Sequence, residues 1–163
     1  MTTKPFANGP HVPGLAFAFR VTMYMGERMR FGKGATGLGR GYASAAHGVI
    51  EGPRLNGKVL ENSGGDYAIF RPDHTVQFNA HYVLQADDGT YIYMNNSGFR
   101  HGTPEVNARL EANEVLDPSE YYFRMRPVFD CPKGPHDWLT RTVIIGTADR
   151  REDHSIFDYY AVV

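Results

Sequence analysis

The residues of this sequence that could do chemistry lie along three neighbouring stretches of alternating polarity. If Pro72-Asp73 and Asp88-Gly89 are both two-residue hairpin turns, the alternation gathers most apolar and aromatic side chains on one sheet face. An apolar wall with a few convergent polar groups is what a small-molecule cavity needs, so we predict that this face lines a ligand cavity. Its members are Tyr67, Ile69, Arg71, Val76, Phe78, Ala80, Tyr82, Leu84, Ala86, Tyr91, Tyr93 and Asn95.

Three polar members of this face, Arg71, Tyr82 and Asn95, are predicted catalytic residues. Tyrosine phenols and the Arg71 guanidinium could assist proton transfer or elimination, while Asn95 holds a substrate oxygen. Burying an unpaired guanidinium costs several kcal/mol, so we expect the ligand to supply an anionic partner for Arg71. The alternative is that Arg71 and Asn95 lie in water at the rim of the sheet.

The opposite face carries a fourth catalytic candidate, His81. It shares that face with Asp66, Asn79 and Asn96. A histidine oriented by a polar neighbour would act as a general base if the face turned inward. The register from two-residue turns points His81 outward, where it is an ordinary solvated side chain.

Later segments add candidate ligand-binding residues. Tyr122 and Arg124 alternate with aromatic side chains, and an arginine among tyrosines can bind a carboxylate or an enolate; a strand with a charged outer face gives the same pattern. Trp138 would form either an aromatic wall of the cavity or a plug in the core. The complete predicted binding set is Tyr67, Tyr91, Tyr93, Tyr122, Arg124 and Trp138.

No motif in the sequence indicates a metal or a nucleotide. The seven histidines are dispersed, and Cys131 is the single cysteine. The glycine-rich stretch 32–41 lacks the lysine and hydroxyl of a phosphate-binding loop. We therefore predict no metal site and no cofactor.

The elements that must position these residues are strands. Period-2 alternation punctuated by glycine and proline predicts an all-β chain with a long first strand from Leu15, and the stretch 32–41 is predicted as a mobile loop at a barrel mouth. One short helix is predicted over 104–116, with Thr103 as its N-cap. Because closure removes exposed strand edges, we predict one antiparallel β-barrel domain over 1–163. The remaining strands are predicted at 42–51, 57–63, 66–71, 74–86, 90–96, 120–129, 138–147 and 155–163.

The charge balance limits the partners. Lysine and arginine number 17 against 18 acidic residues, a formal net charge of −1. Such a balance gives no long-range attraction to nucleic acid or to an anionic membrane. The N-terminus lacks a secretory signal and no stretch is long enough to span a bilayer, so we expect a cytoplasmic protein. The expected partner is a small molecule, with a homo-oligomer left open.

From about Gly48 to Val163 the sequence resembles a family of small bacterial and fungal proteins known only as a domain of unknown function. The resemblance implies a lipocalin-like or allene-oxide-cyclase-like β-barrel and no settled activity. Two departures from the family pattern are Tyr67 in place of tryptophan and Thr140 in place of asparagine. The motifs that carry it are Gly52-Pro53, Leu55-Asn56-Gly57, Gly64-Gly65-Asp66-Tyr67, Arg71, Asp88-Gly89, Leu116-Asp117-Pro118-Ser119-Glu120-Tyr121-Tyr122-Phe123-Arg124, Pro127, Phe129, Trp138-Leu139-Thr140-Arg141 and Tyr159-Tyr160-Ala161-Val162-Val163.

These observations predict a cofactor-free enzyme of the isomerase, cyclase or dehydratase (lyase) type. Its substrate would be an apolar or aromatic small molecule held inside the barrel, where water is excluded and a reactive conformer is favoured. The alternative is a non-catalytic carrier, in which the same groups only orient the ligand.

Overall fold

The computed structural model describes residues 10–163, and the described chain is built mainly of antiparallel strands. One short helix, α1 (Pro104–Glu111), follows the sixth strand, and single 3-10 turns lie at Pro118–Glu120 and Asp137–Thr140. The strands are β1 (Leu15–Lys33), β2 (Gly39–Glu51), β3 (Gly57–Val59), β4 (Gly65–Phe70), β5 (Val76–Ala86), β6 (Tyr91–His101), β7 (Tyr122–Asp130), β8 (Ile144–Arg150) and β9 (His154–Val162).

The sheet closes into a barrel. Strands β1, β9, β8, β7, β6 and β5 are neighbours in that order, and β2 pairs with β1 to close the ring. Both β3 and β4 pair with β2 on one side and β5 on the other, so they occupy one position of the ring end to end. The described strands therefore make an eight-position antiparallel barrel, and the predicted fold class is confirmed.

The two hairpin turns used to predict the register contain three residues, not two. Arg71 N–H donates to Thr75 O over 3.0 Å, and Ala86 N–H donates to Thr90 O over 2.9 Å. Each turn ends in a residue with positive φ, 63° at His74 and 89° at Gly89. This is a type I turn followed by a left-handed residue, which adds one residue to the loop.

The extra residue shifts each predicted pairing by one and turns the flanking strand over. Ile69 lies opposite Gln77, and Tyr93 lies opposite Val83. The predicted inner face is therefore right for β5, from Val76 to Ala86, and wrong for its two neighbours. Tyr67, Ile69, Arg71, Tyr91, Tyr93 and Asn95 do not face the barrel interior; their places are taken by Asp66, Ala68, Phe70, Ile92, Met94 and Asn96.

The glycine-rich stretch 32–41, predicted as a mobile loop at a barrel mouth, belongs in part to two strands. Strands β1 and β2 run on to Lys33 and from Gly39, and a tight turn joins them in which Gly34 N–H donates to Leu38 O over 2.8 Å. The ladder between β1 and β2 is irregular between Met25 and Arg28. This bulge places Arg28 on the inner face although it is three residues after the inward-facing Met25.

The barrel has one filled end and one open end. At the filled end Leu55 and Leu139 are buried and Trp138 packs against the core. The segment 138–147 is not one strand as predicted, because a 3-10 turn precedes β8. At the open end Leu110 of α1 forms a small cluster with Leu116 and Tyr121.

Helix α1 begins as predicted and ends earlier. Thr103 is its N-cap and its side chain accepts from Val106 N–H over 3.3 Å. The helix ends at Glu111, five residues before the predicted limit. In residues 10–163 no helix is long and apolar enough to cross a membrane.

Candidate functional site

The open half of the barrel encloses a cavity of about 190 Å³. Its wall is mostly apolar, with methionines of β1, two alanines and one glycine of β2, and aromatic rings of β4, β5, β7 and β9. The polar residues that line it are Arg28, Arg30, Tyr42, Asp66, Tyr82, Asn96, Arg100, Arg150 and Ser155. The wall has the predicted character, apolar with a few polar groups, but of the polar residues predicted on it only Tyr82 lines the cavity.

A buried amide and two phenols form the deep polar end of the cavity. Asn96 is 2% exposed, and its Nδ2 donates to the hydroxyl oxygens of Tyr82 at 3.3 Å and Tyr159 at 3.0 Å. Burial raises the pKa of Tyr82 to about 12 and that of Tyr159 well above its ordinary value. Both phenols are therefore neutral at physiological pH. Tyr82 lines the cavity, and Tyr159 supports Asn96 from β9.

A single carboxylate, Asp66, lines the cavity among the described residues. It lies opposite Ala43 of β2, and its Oδ1 accepts the backbone N–H of Asn79 over 2.8 Å. Desolvation raises the pKa of Asp66 to about 6, outweighing the backbone hydrogen bond and the charge of Arg100, which both lower it. A carboxylate that titrates near neutrality beside an apolar cavity is suited to general-base chemistry.

Four arginines surround the mouth of the cavity. Arg28 and Arg30 come from β1, Arg100 from the end of β6, and Arg150 from the end of β8. Desolvation, with a smaller effect of the Arg150 charge, lowers the pKa of Arg100 to about 10, so it stays cationic at neutral pH.

Two of these arginines are held by the protein. Arg150 donates to the carbonyl oxygen of Leu110 and to Oδ1 of Asn113, each over 2.8 Å, which ties β8 to helix α1. Arg30 lies 3.6 Å from the ring centroid of Phe70, a cation–π contact. The guanidinium carbon of Arg100 lies 5.9 Å from the Phe123 ring centroid.

The predicted cavity residues Arg71 and Asn95 lie elsewhere. Arg71 belongs to the three-residue turn, where its Nη2 donates to Oδ2 of Asp73 over 2.6 Å in an exposed ion pair. Asn95 lies on the outer face of β6 opposite His81. Placing these two side chains inside the barrel was wrong, because each flanking hairpin has one residue more than assumed.

The predicted tyrosines divide into one that lines the cavity and three that do not. Tyr82 lines it. Tyr67, Tyr91 and Tyr93 are exposed by 54%, 59% and 44% on the outer wall. The Tyr93 hydroxyl and Nδ1 of His81 are hydrogen-bonded over 2.5 Å, so two candidate residues do meet, but outside the barrel.

The later candidates also lie away from the cavity. Tyr122 stacks on His101 with ring centroids 4.8 Å apart, and the Arg124 guanidinium carbon lies 5.4 Å from the Tyr122 ring centroid on the outer wall. Trp138 lies at the filled end under the guanidinium of Arg54, 3.5 Å away. Trp138 is thus a core plug and not an aromatic wall of the cavity.

The sequence reasoning missed Asp66, Asn96 and the arginines as members of one site. Asp66 and Asn96 were on the face assigned to the outside, so the correct turn length would have brought both inward. Arg100 follows Asn96 in the same inner row. In the described part of the chain no three His, Cys, Asp or Glu side chains are grouped to hold a metal ion.

The chain is similar throughout to proteins without an established function. A family model described as "Protein of unknown function (DUF3237)" matches residues 13–162. A UPF0311 protein of Rhodopseudomonas palustris strain TIE-1 is 33% identical over 147 residues, which cover 90% of this chain and 95% of that protein. A UPF0311 protein of Clostridium acetobutylicum is 32% identical over 115 residues, 71% of this chain and 72% of that protein.

Solved structures show the same barrel. A conserved protein of unknown function from Rhodopseudomonas palustris has a TM-score of 0.86 at 28% identity, covering 95% of this chain and 100% of that one. A β-barrel-like protein from Acinetobacter baumannii has a TM-score of 0.82 at 27% identity, covering 96% and 99%. A protein described as an enzyme from Penicillium herquei has a TM-score of 0.72 at 20% identity, covering 97% and 100%, a likeness of fold alone.

Proposed function

We propose that this chain, which belongs to the DUF3237 family of proteins of unknown function, is a cofactor-free enzyme that moves protons within an apolar small molecule bound in its barrel. Isomerisation needs only such proton transfers, and cyclisation and loss of water add one step in which a bond of the substrate is formed or broken. The observation that carries the proposal is one apolar cavity lined by both a carboxyl group with a pKa of about 6 and a neutral phenol.

Asp66 is the proposed base. Above a pH of about 6 it is ionised, and the backbone N–H of Asn79 fixes the orientation of its Oδ1. The carboxylate takes a proton from a carbon beside a substrate carbonyl, and the electron pair of that C–H bond passes to the carbonyl oxygen as an enolate. The same carboxyl group then returns the proton to another carbon, or gives it to an adjacent hydroxyl group, which leaves as water while the enolate electron pair forms the new C=C bond.

Tyr82 is the proposed hydrogen-bond donor to the developing enolate oxygen. Its hydroxyl oxygen accepts from Asn96, so the phenolic proton is left to donate. Its pKa of about 12 keeps that proton in place at neutral pH. Asn96 and Tyr159 act as positioning residues, because both are buried and Asn96 donates to the hydroxyl oxygens of Tyr82 and Tyr159.

The apolar wall makes these few polar groups effective. Phe78 and Phe157 line the cavity on facing sides of the barrel, with Met23 and Met25 between them in the ring of strands. Excluding water strengthens the electrostatic interaction between a fixed donor and a developing charge. Gly41, Ala43 and Ala45 of β2 leave the space that the substrate would occupy.

Phenylpyruvate is a suitable probe, since it has one ring and an acidic methylene beside a carbonyl. We expect wild-type protein to accelerate deuterium uptake at that methylene in D₂O, followed by mass spectrometry. Asp66→Asn should lose about 10²-fold or more of this rate, a typical general-base contribution. Asp130→Asn, an exposed carboxylate on the outer face of β7, is the matched control.

The pH dependence identifies the base. The wild-type rate should rise with pH through about 6, as Asp66 ionises, and Asp66→Asn should lack this limb. A carrier would bind the probe and give no exchange above the rate in Asp66→Asn. That outcome would reject the enzyme in favour of a binding protein.

A further inference from the structure

We infer that the natural ligand carries an oxyanion, a carboxylate or an ionised phenol or enol, which the arginines at the cavity mouth bind while the apolar body lies inside the barrel. This inference rests on the proposed binding cavity and names its substrate class. It does not require that the ligand be transformed.

An excess of positive charge surrounds the apolar cavity. Four arginines and one carboxylate, Asp66, line it among the described residues, although the whole chain has a formal net charge of −1. The ion pairs within residues 10–163 include none of Arg28, Arg30 or Arg100. Arg100 is half-buried, so its guanidinium is stabilised when a ligand supplies an anionic group, whereas Arg28 and Arg30 are exposed and add positive charge at the mouth.

The geometry of the mouth also favours an anionic ligand. The bulge between Met25 and Arg28 turns two successive arginines of β1 inward, and they face Ala43 and Gly41 of β2. Such small partners leave room for long side chains to reach over the opening. A Cβ atom at Gly41 would lie only 2.9 Å from the Phe70 ring that Arg30 covers, so the glycine is needed for this arrangement.

The positions of the polar groups along β6 fix the orientation of the ligand. Arg100 ends the inner row of β6, and Asn96 lies two inward-facing positions deeper, bonded to Tyr82. The charge therefore binds at the mouth and a neutral polar group of the ligand meets Tyr82. A cavity of about 190 Å³ holds roughly one six-membered ring with small substituents, since about 150 Å³ accepts benzene. Any larger part of the ligand must extend through the mouth.

Benzoate and benzamide form the probe pair, because they share size and shape and differ in charge. Binding is measured by methyl NMR of the methionines, since Met23 and Met25 line the cavity and report binding there. Wild-type protein should bind benzoate at least tenfold more tightly than benzamide at about pH 7. Arg100→Met should reduce this preference at least tenfold, whereas Arg126→Met, on the outer face of β7, should keep it.

Equal affinity for the two probes, no binding of either, or shifts that leave Met23 and Met25 unmoved would overturn the inference. If Arg100→Met does not fold, the salt dependence of binding to wild-type protein tests the inference instead. Benzoate binding should weaken as salt rises while benzamide binding does not, and an equal response of both would again overturn it.

The variants separate this inference from the proposed enzyme. Asp66→Asn should keep or strengthen the preference for benzoate, because it removes the negative charge with which Arg100 interacts. Retained preference with no exchange chemistry in wild-type protein would leave the anion site standing and reject the enzyme. Asp66-dependent exchange without any charge preference would support the enzyme and reject the anion site.

Discussion

At the scale of single residues, the site contains charged groups whose desolvation outweighs the nearby hydrogen bonds and charges that favour the ionised form. Asp66 has a backbone hydrogen bond and a nearby guanidinium, and its pKa is still raised to about 6. Arg71, predicted to be the buried charge, is instead paired with Asp73 in an exposed turn. By the same reasoning from buried charge, the candidate functional residues are Asp66 and Arg100.

Asp66→Asn should stabilise the folded protein at neutral pH. The folded-state pKa of about 6 lies above the ordinary value of 3.8, so wild-type protein is most stable, relative to the variant, below about pH 4. As pH rises through 6 the buried group must ionise, and stability is lost by up to about 3 kcal/mol. Denaturant unfolding of both proteins between pH 4 and 8 measures this. A difference independent of pH would show that Asp66 is not desolvated.

Tyr82→Phe should separate the role of the phenolic hydroxyl from that of the ring in the cavity wall. The ring remains, so benzoate affinity should stay within about threefold, and the loss of one hydrogen bond should cost about 1 kcal/mol of stability. Exchange at phenylpyruvate should fall about 10² fold, the effect of removing one donor to a developing oxyanion. Tyr91→Phe, on the exposed outer wall, is the control. Equal rates in the two variants would remove Tyr82 from the proposed reaction.

At the scale of elements, a local side-chain contact decided the register of three strands. In the first hairpin Asp73 Oδ1 accepts from Thr75 N–H over 3.0 Å, and in the second Asp88 Oδ1 accepts from Thr90 N–H over 2.9 Å. Both turns thus contain Asp-x-Thr, with the left-handed residue in the middle. This repeated pattern is visible in the sequence and favours a three-residue loop over a two-residue one.

The strands themselves were predictable where alternation alone decides. The inner row of β5 depends only on its own pattern and was predicted correctly, from Val76 to Ala86. The rows of β4 and β6 depended on turn length, and one residue moved each to the other face. The inward positions of Arg28 and Arg30 in β1 depend on a bulge after Met25. A bulge interrupts the two-residue period, so alternation alone cannot predict it.

His74→Gly and Gly89→Ala should act in opposite directions on stability. His74 has φ of 63°, a conformation that glycine adopts without strain, so the first change should raise stability or leave it unchanged. Gly89 has φ of 89°, and alanine there should cost about 1 kcal/mol. Thermal unfolding of both variants tests the turns. A two-residue turn at Pro72-Asp73 would place His74 in a strand, and glycine there would then destabilise.

At the scale of the whole molecule, stability and binding are assigned to opposite ends of the barrel. The filled end holds Leu55, Leu139 and Trp138, and the cation–π contact of Arg54 covers the tryptophan. The open end keeps an unfilled space lined by small residues of β2. Closure of the sheet lets this asymmetry persist, because every strand is hydrogen-bonded on both sides whatever fills the interior.

One pair of variants tests this separation. Trp138→Ala removes a partly buried ring from the filled end and should lower stability by about 2 kcal/mol or more, yet leave benzoate affinity unchanged. Ala80→Leu adds three carbons to the cavity wall and should keep the protein folded while benzoate binding is lost, because the added side chain occupies the space of the ring. Chemical unfolding and methionine NMR on the same samples give both quantities. If Trp138→Ala weakened benzoate binding at unchanged stability, the tryptophan would contact the ligand as an aromatic wall, and the ligand would have to lie at the end of the barrel opposite Arg100.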